Sequence, residues 1–402
     1  MATRIVVVGA GPVGAVLALA AARQGLEVTL LEAGTAVDES PRAATLHPST
    51  LEMLGELGLM DEVVERGLVA RYFDHWDRPS RSLIARLDHG LLADVTPYPF
   101  VVQLEQHKLQ RMALARLAGY DTVDIHLGAT VTGIDQDATG VVVTAERDGE
   151  TERFTGDYAV GTDGGRSTVR KSQGIAFDGY TWPERFLVLT TTFDFQAEWD
   201  CSYRNYFADP EEWVNLFKVA GDDGRGRWRA VFPAPADETD EEAMSDAAVH
   251  RRLSRLSEHG DPAADVVHRK TYRVHQRVAA TFRSGRVFLA GDAAHVNNPI
   301  GGLGLNCGIH DAVEFAAAVT EVDRGAEDAR LDLYERRRRE LNIEFVQQQT
   351  VANKKRLEET DPEQRRLRAA ELAATAADPV RHRAMLMRSS LLDSVSKARQ
   401  MV

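Results

Sequence analysis

Cysteine is scarce in this chain. Cys201 and Cys307 stand far apart, with no C-x-x-C pair and no cysteine–histidine spacing of a metal site. That excludes a disulfide framework and argues against a metal centre; the expected state is two reduced thiols in a cytoplasmic protein. Long apolar runs are missing too. None approaches the roughly eighteen residues that a membrane-spanning helix needs. The chain opens almost at once into a strand-like segment, so no secretory leader is expected. Positive charge is outnumbered: Lys plus Arg total 48 and Asp plus Glu 61, a net charge of −13. That balance argues against nucleic acid or an anionic membrane surface as the main partner. No internal repeat and no low-complexity linker interrupts the 402 residues.

The most organised stretch is residues 4–32. Arg4-Ile5-Val6-Val7-Val8 is an apolar run, Gly9-Ala10-Gly11-Pro12-Val13-Gly14 a G-x-G-x-x-G turn, and Ala15 to Gly25 an alanine-rich helix. Glu27 to Glu32 is a second apolar run ending in an acid. Together they predict a βαβ unit. Gly9 permits the tight turn, Gly11 lets a pyrophosphate approach the backbone, and Gly14 lets helix and sheet pack closely. The helix start at Pro12 and Val13 offers N–H groups and a positive dipole end to phosphates. Glu32 stands where a carboxylate accepts both hydroxyls of an adenosine ribose. The turn alone does not say which dinucleotide binds.

Further along, two kinds of segment alternate. Residues 1–70, 98–178 and 280–345 read as α/β, whereas 71–97 and 179–279 are strand-rich and hold most of the aromatic residues. Residues 346–402 read as helical and charge-rich. The expectation is an α/β fold: a discontinuous Rossmann-like domain, an inserted and mainly antiparallel β-sheet domain, and C-terminal helices. Residues 240–258 read as one helix. Arg336 to Arg339 reads as a solvated helix face, and the amphipathic stretch 364–402 suits either a homodimer contact or a lid.

Three motifs stand in order: Gly9-x-Gly11-x-x-Gly14, Asp163-Gly164, and Gly291-Asp292 followed by Pro299-Ile300-Gly301-Gly302-Leu303-Gly304-Leu305-Asn306. Together they resemble the group A flavoprotein monooxygenases, the para-hydroxybenzoate-hydroxylase-like aromatic hydroxylases. The stretch 291–311 is most similar to the branch of hydroxyphenylpropionate hydroxylases. The resemblance implies that the dinucleotide is FAD. It would place Glu32 on the adenosine ribose, Arg42 toward the pyrophosphate, and Gln103 near the ribityl or phosphate region. Val131 would offer backbone to the adenine, and Asp163 would serve the flavin and the nicotinamide nucleotide. Asp292 would hold the ribityl chain, Pro299 would lie beside the isoalloxazine ring, and the turn through Gly304 would bring the N–H groups of Leu305 and Asn306 to its N1–C2=O edge. Two departures stand out. Ala33 follows the ribose acid where the family often has a basic residue, and Asn297-Asn298-Pro299 keeps one proline of a common pair.

The implied activity is hydroxylation of a small phenolic or related aromatic substrate with O2, through a flavin C4a-hydroperoxide. NADH or NADPH would reduce FAD and bind transiently, because only one G-x-G-x-x-G opens a βαβ unit. Disulfide-reductase-type flavoproteins would also carry C-x-x-x-x-C, which is absent here. The substrate pocket is expected between the inserted sheet and the flavin. Its candidate lining residues are His75, Tyr203, Trp213, Phe217, Arg229 and His275, with Tyr206 as candidate catalytic residue. Tyr203 and Tyr206 lie three apart, so a regular strand sends them to opposite faces. A flavin-dependent halogenase would share the fold, but Trp228-Arg229-Ala230-Val231-Phe232-Pro233 lacks the second tryptophan of its motif. The first turn would also serve a simple oxidase, a non-catalytic FAD protein, or a Rossmann protein without flavin.

Overall fold

The computed structural model describes residues 2–402. Strand β1 (Arg4–Val8) leads into helix α1 (Pro12–Arg23) and strand β2 (Glu27–Glu32). Four successive buried residues in β1 mark a strand covered on both faces. The small side chains of α1 let nine of its residues go under. Next come β3 (Tyr72–Asp77) and β4 (Ser82–Asp88), then β5 (Val123–Leu127), β6 (Thr130–Gln136) and β7 (Tyr158–Gly161). The long central stretch supplies β8 (Phe177–Thr191), β9 (Arg204–Ala208), β10 (Val214–Val219), β11 (Arg227–Ala234) and β12 (Val266–Ala279). The chain then returns through β13 (Val287–Leu289) and β14 (His295–Val296). It finishes in helices, chief among them α2 (Gly304–Asp323), α3 (Ala329–Leu341), α4 (Gln348–Leu357) and α5 (Pro362–Ala377).

Two large sheets result. The six-stranded sheet runs Arg283–Ser284, β13, β7, β1, β2, β5, and only its first short strand is antiparallel. A parallel order with β1 central puts the end of β1 at the crevice where such sheets bind ligands. The eight-stranded sheet runs β14, β12, β8, β11, β10, β9, β3, β4, antiparallel except where β9 meets β3. One of its faces buries Leu187, Leu189, Phe207, Leu216, Trp228 and Phe232 against short helices. Alternation sends Phe73, His75, Arg204, Tyr206, Phe217 and Arg229 to the other face.

Residues 240–258 form two helices rather than one. Ser245 sits between Asp240–Met244 and Asp246–Ser254 in an extended conformation (ψ 152°), and its hydroxyl caps the second helix through Ala248 N–H. The Arg336–Arg339 run is not a uniformly solvated face. Helical periodicity turns Arg338 inward with Leu331, Tyr334 and Leu341, and all four are buried. The C-terminal helices pack back on their own chain, through Arg365–Asp77 and Arg383–Asp94 ion pairs of 2.7 Å each. Among the described residues, no helix is long and apolar enough to cross a membrane.

Candidate functional site

The turn after β1 is closed by two glycines and opened by the third. Gly9 has φ +102°, and a Cβ there would stand 2.7 Å from the Thr162 carbonyl oxygen. A Cβ on Gly14 would stand 1.9 Å from the Gly9 oxygen. Around Gly11 nothing lies within 4 Å of the same construction, so this residue faces open space. The first intrahelical bond of α1 runs from Ala15 N–H to Gly11 O (2.9 Å). Val13 and Gly14 therefore have N–H groups without intrahelical acceptors. Glu32 lies beside the turn. One carboxylate oxygen accepts from Ala10 N–H and the other from Gly34 N–H, both at 2.7 Å. Ala129 N–H donates to the Glu32 carbonyl (2.8 Å), which brings the start of β6 and Val131 alongside.

The two later motifs join this turn. Asp163 accepts from the N–H groups of Thr168 and Val169 at 2.7 and 3.1 Å, capping a short helix, while its Oδ1 is buried without a partner. Burial raises its pKa above the ordinary carboxylate value against those hydrogen bonds. Arg170 is buried and donates to the carbonyls of Gly165 (2.9 Å) and Ala293 (2.8 Å), so it ties the 163–165 turn to the 291–293 turn. Gly291 comes so near α1 that a Cβ would lie 3.1 Å from Val13. Asp292 is solvent-exposed, yet the protein surrounding it raises its pKa, with His295 and Arg42 opposing. A carboxyl that is open to water but enclosed by protein marks the floor of a cleft.

The loop 299–306 forms the far end of that cleft. Pro299 is exposed. In α2 the first intrahelical bond runs from Cys307 N–H to Leu303 O (2.9 Å), which leaves Leu305 and Asn306 N–H without intrahelical acceptors. The Asn306 side chain is engaged elsewhere: it accepts from His47 N–H (2.8 Å) and donates to the carbonyls of Thr45 (2.8 Å) and Gly302 (2.6 Å). Gln103 is fully buried. Its Oε1 accepts from Thr45 Oγ1 (2.9 Å), while Nε2 has no partner. Arg42 is exposed and pairs with Asp38 at 2.8 Å, and its carbonyl accepts from Arg229 Nη1 at 2.7 Å.

On the inner sheet face, Tyr206 packs edge-on against Phe73 and His75, with ring centroids 4.7 and 5.4 Å apart. Burial pushes the Tyr206 hydroxyl up to about 12, against Arg204, Arg356 and the Gly301 backbone. Burial first, then Arg356 and Arg204, holds His75 neutral with a pKa of about 3. Its Nε2 is buried without a partner. Arg204 lies 4.5 Å above the Phe73 ring, and burial lowers it to about 10. Among the described residues it has no ion pair and no side-chain hydrogen bond. Phe217 stands opposite both Arg204 and Arg229 in register. Trp213 is buried, 5.1 Å from Phe186, and its Nε1 has no partner. A cavity of about 600 Å³ opens beside His75 and Tyr206 and is walled by α4 and α5.

Two of the sequence candidates lie elsewhere. Tyr203 precedes β9 and packs under Lys218, which also covers Trp228 on the opposite face. In β12 Val274 and Gln276 point inward, so His275 between them points out; its Nδ1 lies 2.9 Å from Thr181 Oγ1. Two residues at or beside the inner face stand outside the sequence motifs. Arg204 was legible as the residue two before Tyr206. Arg356 was not, since a helix far along the chain delivers it.

Behind the cleft floor, His295, Cys307 and Asp311 bring ligand-type atoms within 4.8 Å of one another. Arg338 stands against two of them, 2.7 Å from Asp311 Oδ1 and 3.2 Å from Cys307 Sγ, so a guanidinium already answers the carboxylate on that side.

A family model described as "FAD binding domain" matches residues 2–349. The chain is 37% identical over 368 residues to para-nitrophenol 4-monooxygenase of Pseudomonas sp. (strain WBC-3), covering 90% of this chain and 89% of that one. It is 34% identical over 349 residues to a 3-(3-hydroxy-phenyl)propionate/3-hydroxycinnamic acid hydroxylase of Mycobacterium sp. (strain JLS), covering 84% of this chain and 57% of that one. The crystal structure of p-nitrophenol 4-monooxygenase PnpA from Pseudomonas putida DLL-E4 superposes with a TM-score of 0.90 at 34% identity, covering 96% of this chain and 97% of that one.

Proposed function

The chain belongs to the FAD-binding-domain family of group A flavoprotein aromatic hydroxylases, and from that premise we propose that its cleft holds FAD while its sheet presents a phenolic ring to the flavin end. The residues fit the cofactor. Gly11 faces open space, Gln103 keeps a buried donor free, and Asp292 lies on the cleft floor. In this reading Gly9, Gly11, Pro12, Val13 and Gly14 receive the pyrophosphate, with Arg42 toward it. Glu32 takes the ribose, Val131 the adenine and Asp292 the ribityl chain. Asp163 shapes the floor between them, with Arg170 holding it to the 291–293 turn. Pro299, Gly304, Leu305 and Asn306 border the isoalloxazine. FAD, when bound, supplies electron transfer from NADH or NADPH and the activation of O2.

This chain's residues position the substrate and exclude water. The free N–H groups and positive end of α2 stabilise negative charge at the flavin edge. Tyr206 remains protonated at neutral pH and holds the phenol oxygen as donor or acceptor. Neutral His75 offers Nε2 to the same region. The nearby Arg204 cation favours the ionised phenol, which is the more electron-rich ring. Phe186, Trp213, Val231 and Ile300 form an apolar wall that keeps the site dry.

One observation carries this reading: Tyr206 packs into the same cluster as Ile300 of the glycine-rich loop, so the sheet face meets the flavin end of the cleft. Nothing on the inner face favours a halogenase, since Trp228 lies in the opposite core. The test is NADH and NADPH oxidation by the yellow holoenzyme with para-nitrophenol and a panel of phenolic acids. Substrate-stimulated oxidation with a hydroxylated product supports the reading. Chloride-dependent product, or oxidation indifferent to every phenol, refutes it.

A further inference from the structure

We propose that Gln276 is a positioning residue for the hydroxylation: through Asn298 it fixes the loop that borders the isoalloxazine against the sheet that presents the substrate. The inference rests on the flavin and substrate placement proposed above and adds to it a residue that touches neither.

The problem begins in the sequence. Two prolines often precede the glycine-rich turn, and here only Pro299 is kept, with Asn298 before it. Proline fixes φ and has no N–H to satisfy. Asparagine leaves φ free and brings both a backbone N–H and a side-chain amide. Asn298 is 0% exposed, so those groups need partners inside the protein. The sheet ladder does not supply them. Strand β14 pairs with β12 only at His295–Val278 and Val296–Arg277, and the chain then turns away.

Gln276 takes over where the ladder stops. Its side chain points inward from β12 and is buried. Oε1 accepts from Asn298 N–H and from Asn298 Nδ2, both at 3.1 Å, and from Trp182 Nε1 at 3.4 Å. Nε2 donates to Gln347 Oε1 at 2.6 Å and to Thr350 Oγ1 at 3.1 Å. Asn298 passes the constraint on, since its Oδ1 accepts from Ile300 N–H at 3.1 Å. From α4, Asn353 Nδ2 donates to the Ile300 carbonyl at 3.2 Å. A single amide thus joins the substrate sheet, the glycine-rich loop and the C-terminal helices. It is also directional. Turning it over would set its NH2 group against the donors of Asn298, so it holds one arrangement rather than merely filling space.

The consequence is geometric. Strand β12 belongs to the sheet that carries Tyr206, and Val274, Tyr206 and Ile300 share one cluster. The Gln276–Asn298 pair therefore sets the gap between the substrate face and the loop at the flavin end. Productive transfer needs reacting atoms about 3–3.5 Å apart. Slack in that loop costs product before it costs cofactor binding.

The test uses FAD-loaded Gln276→Met, which keeps the length of the side chain and removes its hydrogen bonds. The flavin absorbance spectrum should shift toward that of free FAD. Product formed per NAD(P)H oxidised should fall by about fivefold, the worth of a buried hydrogen bond. Gln276→Glu keeps an acceptor toward Asn298, and should restore the spectrum and bring the yield within about twofold of wild type. Trp199→Phe removes the 2.7 Å bond from Trp199 Nε1 to the Leu256 carbonyl in the opposite core of the same sheet. It should leave spectrum and yield unmoved. An unchanged spectrum and yield in Gln276→Met, with FAD content retained, overturns the proposal. So does an equal change in Trp199→Phe, which would mean general loosening of the sheet. If Gln276→Met does not fold, Asn298→Ala opens the same pair from the loop side, and an unchanged spectrum and yield there overturns it equally. The two readings fail separately. The expected spectral shifts without phenol-stimulated NAD(P)H oxidation in any variant refute the hydroxylase reading alone. Turnover of phenols with spectrum and yield unmoved in Gln276→Met refutes the role of Gln276 alone.

Discussion

His295 Nε2 lies 2.7 Å from the Asp311 carboxylate, and both side chains are fully buried beneath the cleft floor. The same Asp311 oxygen accepts from Gly291 N–H at 3.0 Å, and the other accepts from Arg338 Nε at 2.7 Å. Burial alone would lower the imidazole, but Cys307 and Asp311 overcome it and carry His295 up to about 10. A raised pKa stabilises the folded state fully below the unfolded histidine value of about 6.5 and loses that contribution as pH rises through the folded value. Thermal midpoints should therefore fall between neutral pH and about pH 10 in the wild type, and fall less in His295→Gln. Asp311→Asn, which strands two buried cations, should cost about 3–5 kcal/mol in denaturant unfolding.

The glycines of the first turn should respond in opposite ways. Gly14→Ala would put a Cβ 1.9 Å from the Gly9 carbonyl oxygen and 2.6 Å from Thr162 Oγ1. That variant should lose several kcal/mol and purify colourless. Gly11→Ala meets nothing within 4 Å. Its fold should stay within about 1 kcal/mol of wild type, because a helix-cap glycine is replaced without a clash. Its FAD affinity should nevertheless fall if the proposed site holds, since the methyl group would fill the open space assigned there to the pyrophosphate. Thermal midpoint and flavin absorbance per protein separate the two effects.

Tyr206→Phe removes one hydroxyl from the inner sheet face. Steady-state assays should show about a tenfold to hundredfold fall in hydroxylated product, with FAD content unchanged and more of the NAD(P)H oxidised without product. Tyr203→Phe, under Lys218 on the other face, should behave as wild type. Equal effects of the two variants would remove Tyr206 from the mechanism.

Arg170→Met should strand the carbonyls of Gly165 and Ala293, which Arg170 now satisfies at 2.9 and 2.8 Å. A loss of about 2 kcal/mol or more is expected, and FAD dissociation should accelerate because the two cleft turns lose their tie. Stopped-flow release of flavin fluorescence measures it.

Much of the fold was legible because it is written in local pattern. The apolar period, three glycines and a terminal acid specify the βαβ unit within one short stretch, and the later Asp163 and Gly291-Asp292 turns end buried strands. Face assignment in the inserted sheet was partly legible. Alternation sends Tyr203 and Tyr206 to opposite faces, but which face meets the cleft depends on tertiary packing. His275 points out by the regular alternation that buries Val274 and Gln276, and which of the two sets meets the cleft is again settled by packing. The buried role of Arg338 was hidden inside a run of four like charges, whose helical phase decides which one turns in. Arg356 was beyond reach, since its proximity to Tyr206 exists only after α4 docks against the sheet.

Oxygen transfer to the ring is measured by turnover of the FAD-loaded protein with NADH or NADPH, a phenolic substrate and isotopically labelled dioxygen, with mass analysis of the product. Substrate-stimulated NAD(P)H oxidation and one labelled oxygen atom in a newly hydroxylated ring are expected. Product oxygen drawn from water, or NAD(P)H oxidation yielding only hydrogen peroxide with every phenol offered, would contradict it.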